Sequence, residues 1–129
     1  MKVYVAVGVG GIIGSSFRYL LSLLFLSKNF SGFTWGTLIA NLTGAFLLTF
    51  ILFYPYTKFK WNPTIFTALT TGVIGSYTTF STITLEVVFL AKENLLLMIV
   101  YLLLTIVGGL LSSFVGFQTV RNIEKKKSV

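Results

Sequence analysis

Four long runs of apolar residues dominate this 129-residue chain and decide what it can fold into. A helix needs about 20 apolar residues to cross the hydrocarbon layer of a membrane, and each run reaches that length. With 55% hydrophobic and 10% charged residues, the composition is that of a membrane protein. The sequence therefore predicts one all-α domain, residues 1–129, that crosses the cell membrane four times. The predicted spans are 3–26, 33–54, 63–90 and 95–120.

The basic residues predict how the chain is oriented in the membrane. Short connections make consecutive helices antiparallel neighbours and place both termini on one side. Seven basic residues fall on that side and two on the other, so the positive-inside rule predicts cytoplasmic termini. Because most of the +7 formal charge flanks apolar runs, it indicates lipid headgroups rather than nucleic acid as the partner. The seven are Lys2, Lys58, Lys60, Arg121, Lys125, Lys126 and Lys127, and the two are Lys28 and Lys92.

The residue types that are missing exclude most catalytic chemistry. The chain has no cysteine and no histidine, and its only acidic residues are Glu86, Glu93 and Glu124. Disulfides, thiolate or imidazole metal sites and the usual catalytic triads are therefore ruled out. We expect a protein that is not an enzyme.

Small residues recur at helical spacing on three of the predicted helices. Such faces allow helix backbones to approach closely in a membrane, either within one bundle or between two subunits. Because four helices of this size can barely enclose a pathway alone, we also expect a dimer. The faces are Gly10 with Gly14; Gly36 with Ala40 and Gly44; and Gly108 with Ser112 and Gly116.

Several polar residues lie inside the apolar runs. Thr37 and Asn41 are four residues apart and share a helix face, and Tyr101 lies on a polar face of the fourth helix. Singly, such residues are typical of ordinary interhelical hydrogen bonds; together they favour a polar pathway. Arg18 and Glu86 are intramembrane charges and hence functional candidates, Arg18 for a vestibule or anchoring role and Glu86 for an interfacial or pathway position.

The stretch GVIGSYTTFST, residues 72–82, predicts a break near the middle of the third helix. Its glycines loosen the helix, and its hydroxyls offer the backbone alternative partners. A simple kink would explain the same residues. An ion-related break is favoured, because non-helical backbone at this depth survives only where it is buried in protein or lines a cavity, where freed carbonyls can bind a cation.

Four patches of this sequence resemble the CrcB/Fluc fluoride channel family. They are GGIIGSSFRY at 10–19, GTLIANLTGAF at 36–46, TGVIGSYTTFST at 71–82 followed by Glu86, and the glycines at 108, 109 and 116. The resemblance implies a dimer of two subunits inserted in opposite directions, with two fluoride pathways and a sodium ion at the interface. It further implies that the backbone carbonyls of Gly75 and Thr78 hold that sodium.

The resemblance also assigns roles along the anion pathway. Asn41 matches the pore asparagine, and Phe80 matches the first of two phenylalanines whose ring edges face fluoride. Thr37 and Tyr101 resemble polar positions beside the pore. Three further residues resemble the polar mouth of the pathway: Ser81, Thr82 and Glu86.

One position departs from the family pattern. The second phenylalanine of the family is replaced by Ile83, which has no polarised ring edge to offer an anion. The unequal basic charge also disfavours a subunit that inserts equally in both directions. Both features favour a chain that pairs with a homologous, inverted subunit rather than with itself, leaving one pathway degraded.

Two alternatives from other classes remain open at this point. A proton-coupled exporter of small cationic drugs can also be built from four short helices, but it needs an embedded carboxylate, and the first two spans contain none. A membrane subunit that does not conduct would explain the glycines but not Asn41 together with the broken helix. Fluoride passage remains the favoured function, with export across the cell membrane lowering fluoride toxicity.

Overall fold

The computed structural model describes residues 1–25, 33–54 and 62–127, and all of its regular structure there is helical. Lys28, Lys58 and Lys60, used in the orientation argument, lie outside these ranges. Helix α1 spans Lys2–Leu24 and α2 spans Trp35–Phe53. Helix α3 begins with Pro63–Thr67, continues as a π-helix over Ala68–Ile74 and ends with Gly75–Tyr77. Residues 78–80 are not helical; α4 then spans Ser81–Glu93 and α5 spans Leu95–Lys127.

Four segments are long and apolar enough to cross a membrane, which confirms the prediction of a four-span helical protein. They correspond to α1, α2, the combined stretch Pro63–Glu93, and α5. The fourth helix continues to Lys127, seven residues beyond the predicted end at 120. At a rise of about 1.5 Å per residue, α5 is about 50 Å long, so it reaches well past a hydrocarbon layer of about 30 Å.

Local capping chemistry explains where α3 and α5 begin. Pro63 occupies the first turn of α3, where its missing N–H costs no hydrogen bond, and the Asn62 side chain accepts from the Thr64 N–H at 2.9 Å. Asn94 separates α4 from α5 with an extended backbone, and its side chain accepts from the Leu97 N–H at 3.1 Å. Asparagine caps therefore start both helices.

Helix α1 packs mainly against the π-helical part of α3, and glycines set the distance. A Cβ on Gly10 would lie 2.6 Å from the Ala68 carbonyl oxygen, and one on Gly14 would overlap the Val73 carbonyl. Gly72 mirrors them, since its Cβ would lie 2.7 Å from the Val7 carbonyl oxygen. Two backbones are in contact here with no side chain between them.

Helix α2 packs mainly against α5, again through small residues. A Cβ on Gly108 would lie 2.9 Å from a methyl group of Leu42, and one on Gly116 would lie 2.8 Å from the Phe46 carbonyl oxygen. The predicted small-residue faces are thus used for packing within a single chain.

The apolar core is small, and most large apolar side chains point outward. One cluster of buried residues lies where α2, α4 and α5 meet. Outward-facing leucine, isoleucine, valine and phenylalanine side chains occur along α1 and α5, as expected of helices that face lipid. The buried cluster consists of Phe33, Leu38, Ile83, Leu90 and Tyr101.

Candidate functional site

Three predicted site residues form one hydrogen-bonded cluster around a carboxylate. Thr37 on α2 donates its hydroxyl to Oε1 of Glu86 at 2.6 Å, and Tyr101 on α5 donates its hydroxyl to Oε2 of the same side chain. Thr37 and Tyr101 are buried, with exposed fractions of 5% and 0%. The two oxygens of Glu86, on α4, therefore each have a donor from a different helix. We call these residues the carboxylate cluster.

Asn41 binds the non-helical segment between α3 and α4. Its Nδ2 donates to the Thr79 carbonyl at 3.0 Å, and its Oδ1 accepts from the Thr79 N–H at 2.8 Å. Both backbone groups of Thr79 are thus satisfied by one side chain, which matters because irregular backbone in a membrane has no water to bind. The amide nitrogen of Asn41 carries a second hydrogen beyond the one given to Thr79.

The Thr79 side chain extends this network to the start of α4. Its Oγ1 lies 3.0 Å from Oγ1 of Thr82 and 3.2 Å from Oγ of Ser81, and it accepts from the Thr82 N–H at 3.2 Å. Two predicted residues, Ser81 and Thr82, are therefore joined to Asn41 through Thr79.

The Thr79 network and the carboxylate cluster lie one helical turn apart. Thr37 and Asn41 are four residues apart on α2, and Thr82 and Glu86 are four residues apart on α4, so each pair shares a helix face. The two groups follow one another along α2 and α4, and the Thr37–Glu86 hydrogen bond joins these helices. Together we call them the polar stripe, defined as Thr37, Asn41, Thr79, Thr82, Glu86 and Tyr101.

A surface concavity of about 390 Å³ opens beside this stripe. Phe80 on its rim is 82% exposed, whereas Ile83 is only 9% exposed and belongs to the buried cluster. The Phe80 ring thus faces outward, and Ile83 is packed within its own subunit. The lining consists of Asn41, Gly75, Thr78, Thr79, Phe80 and Ile83.

Backbone carbonyls are the groups here that could hold a cation. Within the described residues there is no cluster of three or more His, Cys, Asp or Glu side chains suited to a metal. Two nearby carbonyls already accept hydrogen bonds. The Ile74 carbonyl accepts from the N–H and the hydroxyl of Thr78, and the Thr79 carbonyl accepts from Asn41. In the described part of the chain, no hydrogen bond reaches the carbonyls of Gly75 or Thr78.

Gly44 on α2 makes room for this turn. A Cβ at that position would overlap the Thr78 side chain, so the glycine permits close contact between α2 and the non-helical segment. On the α1 side, Arg18 donates its Nε–H to the Ser76 carbonyl at 3.3 Å. The predicted intramembrane arginine therefore contacts the end of α3.

Thr79 and Ser76 belong to the site but were not predicted as site residues from the sequence. Thr79 was one hydroxyl residue among several in TTFST, and nothing in the sequence distinguished the residue whose backbone Asn41 binds. Ser76 takes part through its carbonyl, a group that every residue carries. Because a hydrogen bond to the backbone does not require a particular residue type, the sequence offered no signal for Thr79 or Ser76.

Comparison with known proteins gives a consistent result. Residues 5–117 match the family model described as CrcB-like protein, Camphor Resistance (CrcB). The chain is 41% identical over 128 residues to the fluoride-specific ion channel FluC 2 of Geobacillus kaustophilus, covering 98% of each chain. It is 39% identical over 116 residues to fluoride-specific ion channel FluC 1 of Desulfitobacterium hafniense, covering 88% of this chain and 99% of the relative. It is 40% identical over 114 residues to FluC 2 of Staphylococcus haemolyticus, covering 88% and 92%.

Proposed function

Because this chain belongs to the CrcB family, we propose that it is a subunit of a fluoride-specific channel and not an enzyme. It is a multi-pass membrane protein, and fluoride would move passively along it, out of the cell. Family membership favours this function over proton-coupled export of cationic drugs. The observation that carries the proposal is the polar stripe, a set of hydrogen-bonded polar residues from α2, α4, α5 and the segment before α4 in an otherwise apolar bundle.

The chemistry of the stripe suits a small, strongly hydrated anion. Fluoride gives up water only where other donors replace it, and the stripe supplies hydroxyl and amide hydrogens. The second Nδ2 hydrogen of Asn41 is one such donor, and the positive edge of the Phe80 ring is another favourable contact. These donors are uncharged, so the anion is not held too tightly to leave.

Glu86 limits which hydroxyl donors a passing fluoride ion could use. In the carboxylate cluster the hydroxyl hydrogens of Thr37 and Tyr101 already point to Glu86. An anion that used those donors would have to displace the carboxylate, because a hydroxyl has a single hydrogen to give. Ser81 and Thr82 would serve the mouth of the pathway beside this cluster.

We further propose that two subunits assemble in opposite orientations around a sodium ion. The carbonyls of Gly75 and Thr78 would hold the ion, since they are hard oxygen ligands at a break in the third span and lack partners among the described residues. A ring as exposed as that of Phe80 favours a second subunit covering this face. Bound sodium would stabilise the break and the interface.

The test of channel function is ion efflux from liposomes. The chain, purified alone and with a co-expressed family partner, should release fluoride much faster than chloride. If both preparations were silent, or leaked both anions equally, the channel proposal would fail. Growth of a fluoride-sensitive cell carrying the gene alone or with the partner gives a second readout.

A finer proposal concerns the partner. Ile83 supplies no ring edge and is packed into the core of its own subunit, and seven of the nine basic residues flanking the spans lie on one predicted side. We propose that the termini are cytoplasmic and that the chain pairs with a homologous subunit inserted the other way, in which case one pathway is degraded. The strongest version of this proposal is that the chain is a partner subunit of a heterodimeric channel and does not conduct fluoride by itself.

Substitution at position 83 tests this proposal. The chain reconstituted alone should release fluoride slowly, and Ile83→Phe should raise the rate severalfold if a ring edge is the missing element. Ile83→Leu is the matched control, because it keeps an aliphatic side chain of equal size. Rapid efflux from the unmodified chain alone would refute the need for a partner and leave family membership intact.

A further inference from the structure

We propose that Arg18 is a positioning residue that caps the carboxyl end of α3 from the neighbouring helix α1. Its Nε–H donates to the Ser76 carbonyl, 58 residues away in the chain. In doing so it would hold the turn that bears the Gly75 and Thr78 carbonyls. The inference deepens the proposed function, because those carbonyls are the ones proposed to hold sodium.

The end of α3 needs such a cap. A helix leaves its last four carbonyls without intrahelical partners, and in a membrane no water replaces them. Basic residues in a last turn commonly serve this purpose, but the last turn of α3 contains none. The backbone of Thr78 is extended, so the helix cannot continue and supply the missing donors itself.

Helix α1 is placed to supply the cap. Gly14 brings the α1 backbone against the end of α3: an added Cβ would overlap the Val73 carbonyl and lie 3.1 Å from the Tyr77 nitrogen. Arg18 is four residues further along α1 and therefore on the same face. The glycine sets the approach, and the arginine one turn later reaches the carbonyl.

The charge of Arg18 is available for this role. Glu86 binds Thr37 and Tyr101, while Glu93 and Glu124 lie towards the carboxyl ends of α4 and α5. The cation thus faces the negative end of a helix dipole rather than a carboxylate. Arg18 is partly buried, so this interaction is only partly screened.

The other side of the same turn is held by α2. Asn41 fixes Thr79 through two hydrogen bonds, and Thr43 Oγ1 lies 2.9 Å from the Tyr77 hydroxyl. Without Arg18, α1 would still pack against the segment from Gly75 to Thr78 through Gly14, but among the described residues the interhelical hydrogen bonds to this turn would all come from α2. Loss of the cap should therefore loosen this turn selectively and leave the rest of the bundle in place.

Hydrogen exchange on the purified protein tests the proposal. In Arg18→Met, amides in peptides covering residues 75–82 should exchange about tenfold faster, while peptides from α5 remain unchanged. Arg18→Lys, which keeps a donor and the charge, should restore part of the protection. Arg121→Met is the matched control, since it removes an arginine that is exposed on α5 and should change nothing in this segment.

Sodium provides a second readout that does not depend on conduction. The rise in melting temperature on replacing N-methylglucamine chloride by sodium chloride should shrink in Arg18→Met and stay unchanged in Arg121→Met. A larger rise in Arg18→Met would mean that Arg18 repels the cation rather than shaping its site, and would overturn the proposal.

Two other results would also overturn it. One is unchanged exchange over residues 75–82 in Arg18→Met. The other is a Met variant that fails to fold although Arg18→Lys folds, because a basic donor at position 18 would then be required by the whole bundle rather than by this turn. Fluoride efflux of the unmodified protein is scored separately, so a silent channel with a loosened turn would count against the proposed function alone.

Discussion

At the residue scale, Asn41 has one observed role and one proposed role, and the two use different hydrogen-bonding groups. Its Oδ1 and one Nδ2 hydrogen satisfy the backbone of Thr79, and the second Nδ2 hydrogen is the one proposed to meet an anion. The same residue thus supports the non-helical segment and offers a donor beside the concavity. A role in stability and a role in conduction should therefore be separable by the measurement chosen.

Asn41→Ala should destabilise the protein and abolish fluoride efflux. The substitution leaves the N–H and the carbonyl of Thr79 without partners, at a cost of about 1–3 kcal/mol in unfolding free energy. Thermal unfolding in detergent and fluoride efflux from liposomes measure the two effects. Thr119→Val on α5 is the control, because the Thr119 hydroxyl donates to the Val115 carbonyl of its own helix and should leave the Thr79 segment unchanged. Equal melting temperatures for Asn41→Ala and the unmodified chain would contradict the two hydrogen bonds between Asn41 and the backbone of Thr79.

Part of the site could be predicted from residue type alone. Thr37, Asn41, Glu86 and Tyr101 are polar residues in apolar runs, so each needed a partner in the membrane, and the structure supplies one for each. The identities of those partners could not be predicted. Thr37 and Glu86 are 49 residues apart in the chain, and their contact depends on how α2 and α4 pack.

At the scale of elements, the contact between α1 and α3 brings two helix backbones together with no side chain between them. The π-helix over Ala68–Ile74 lies against α1, and the hydroxyl of Thr70 donates at 2.8 Å to the carbonyl of Phe66, in the α-helical segment just before it. Such a hydroxyl offers a carbonyl a partner where the regular hydrogen-bond ladder shifts. The sequence predicted a break within residues 72–82; the structure has a π-helix over Ala68–Ile74, a last helical turn at Gly75–Tyr77 and non-helical backbone at residues 78–80.

Two glycines on α1 provide a matched pair for this contact. Gly14→Ala should lower the unfolding free energy by about 1–3 kcal/mol, because the new Cβ overlaps the Val73 carbonyl, which belongs to the backbone and cannot turn aside. Gly8→Ala meets no atom within 4 Å and should be neutral or stabilise the helix by up to about 1 kcal/mol. Circular dichroism during thermal unfolding measures both variants. Similar melting temperatures for the two would show that α1 does not lie this close to α3.

At the scale of the whole molecule, charge is concentrated at the carboxyl end. Helix α5 is long enough to carry Arg121, Lys125 and Lys126 past the hydrocarbon layer, where they can contact lipid headgroups. These residues contribute to the predicted excess of basic charge on the side of the termini. They therefore bear on insertion more than on the stability of the bundle.

Neutralising this end should change the orientation of the chain in the membrane. The protein has no cysteine, so one added after Val129 is a unique label for an impermeant thiol reagent. In cells the unmodified chain should label only from the cytoplasm, and a variant with glutamine at residues 121 and 125–127 should label from both sides. Lys92→Gln, which removes a charge from the opposite side, should keep the single orientation. Labelling of the unmodified chain from both sides would remove the charge argument for a separate inverted partner.

The sequence by itself determined the class of protein, the four membrane-spanning helices and the residue types available for anion chemistry. It could do so because hydropathy and missing residue types are properties of short segments and of composition, and no tertiary contact can change them. Only the tertiary structure decided which groups bond to one another. Asn41 binds the backbone of Thr79, Glu86 accepts from two hydroxyls, and Arg18 donates to a carbonyl of α3. Those contacts join helices far apart in the chain, and the backbone groups involved are the same in every residue type.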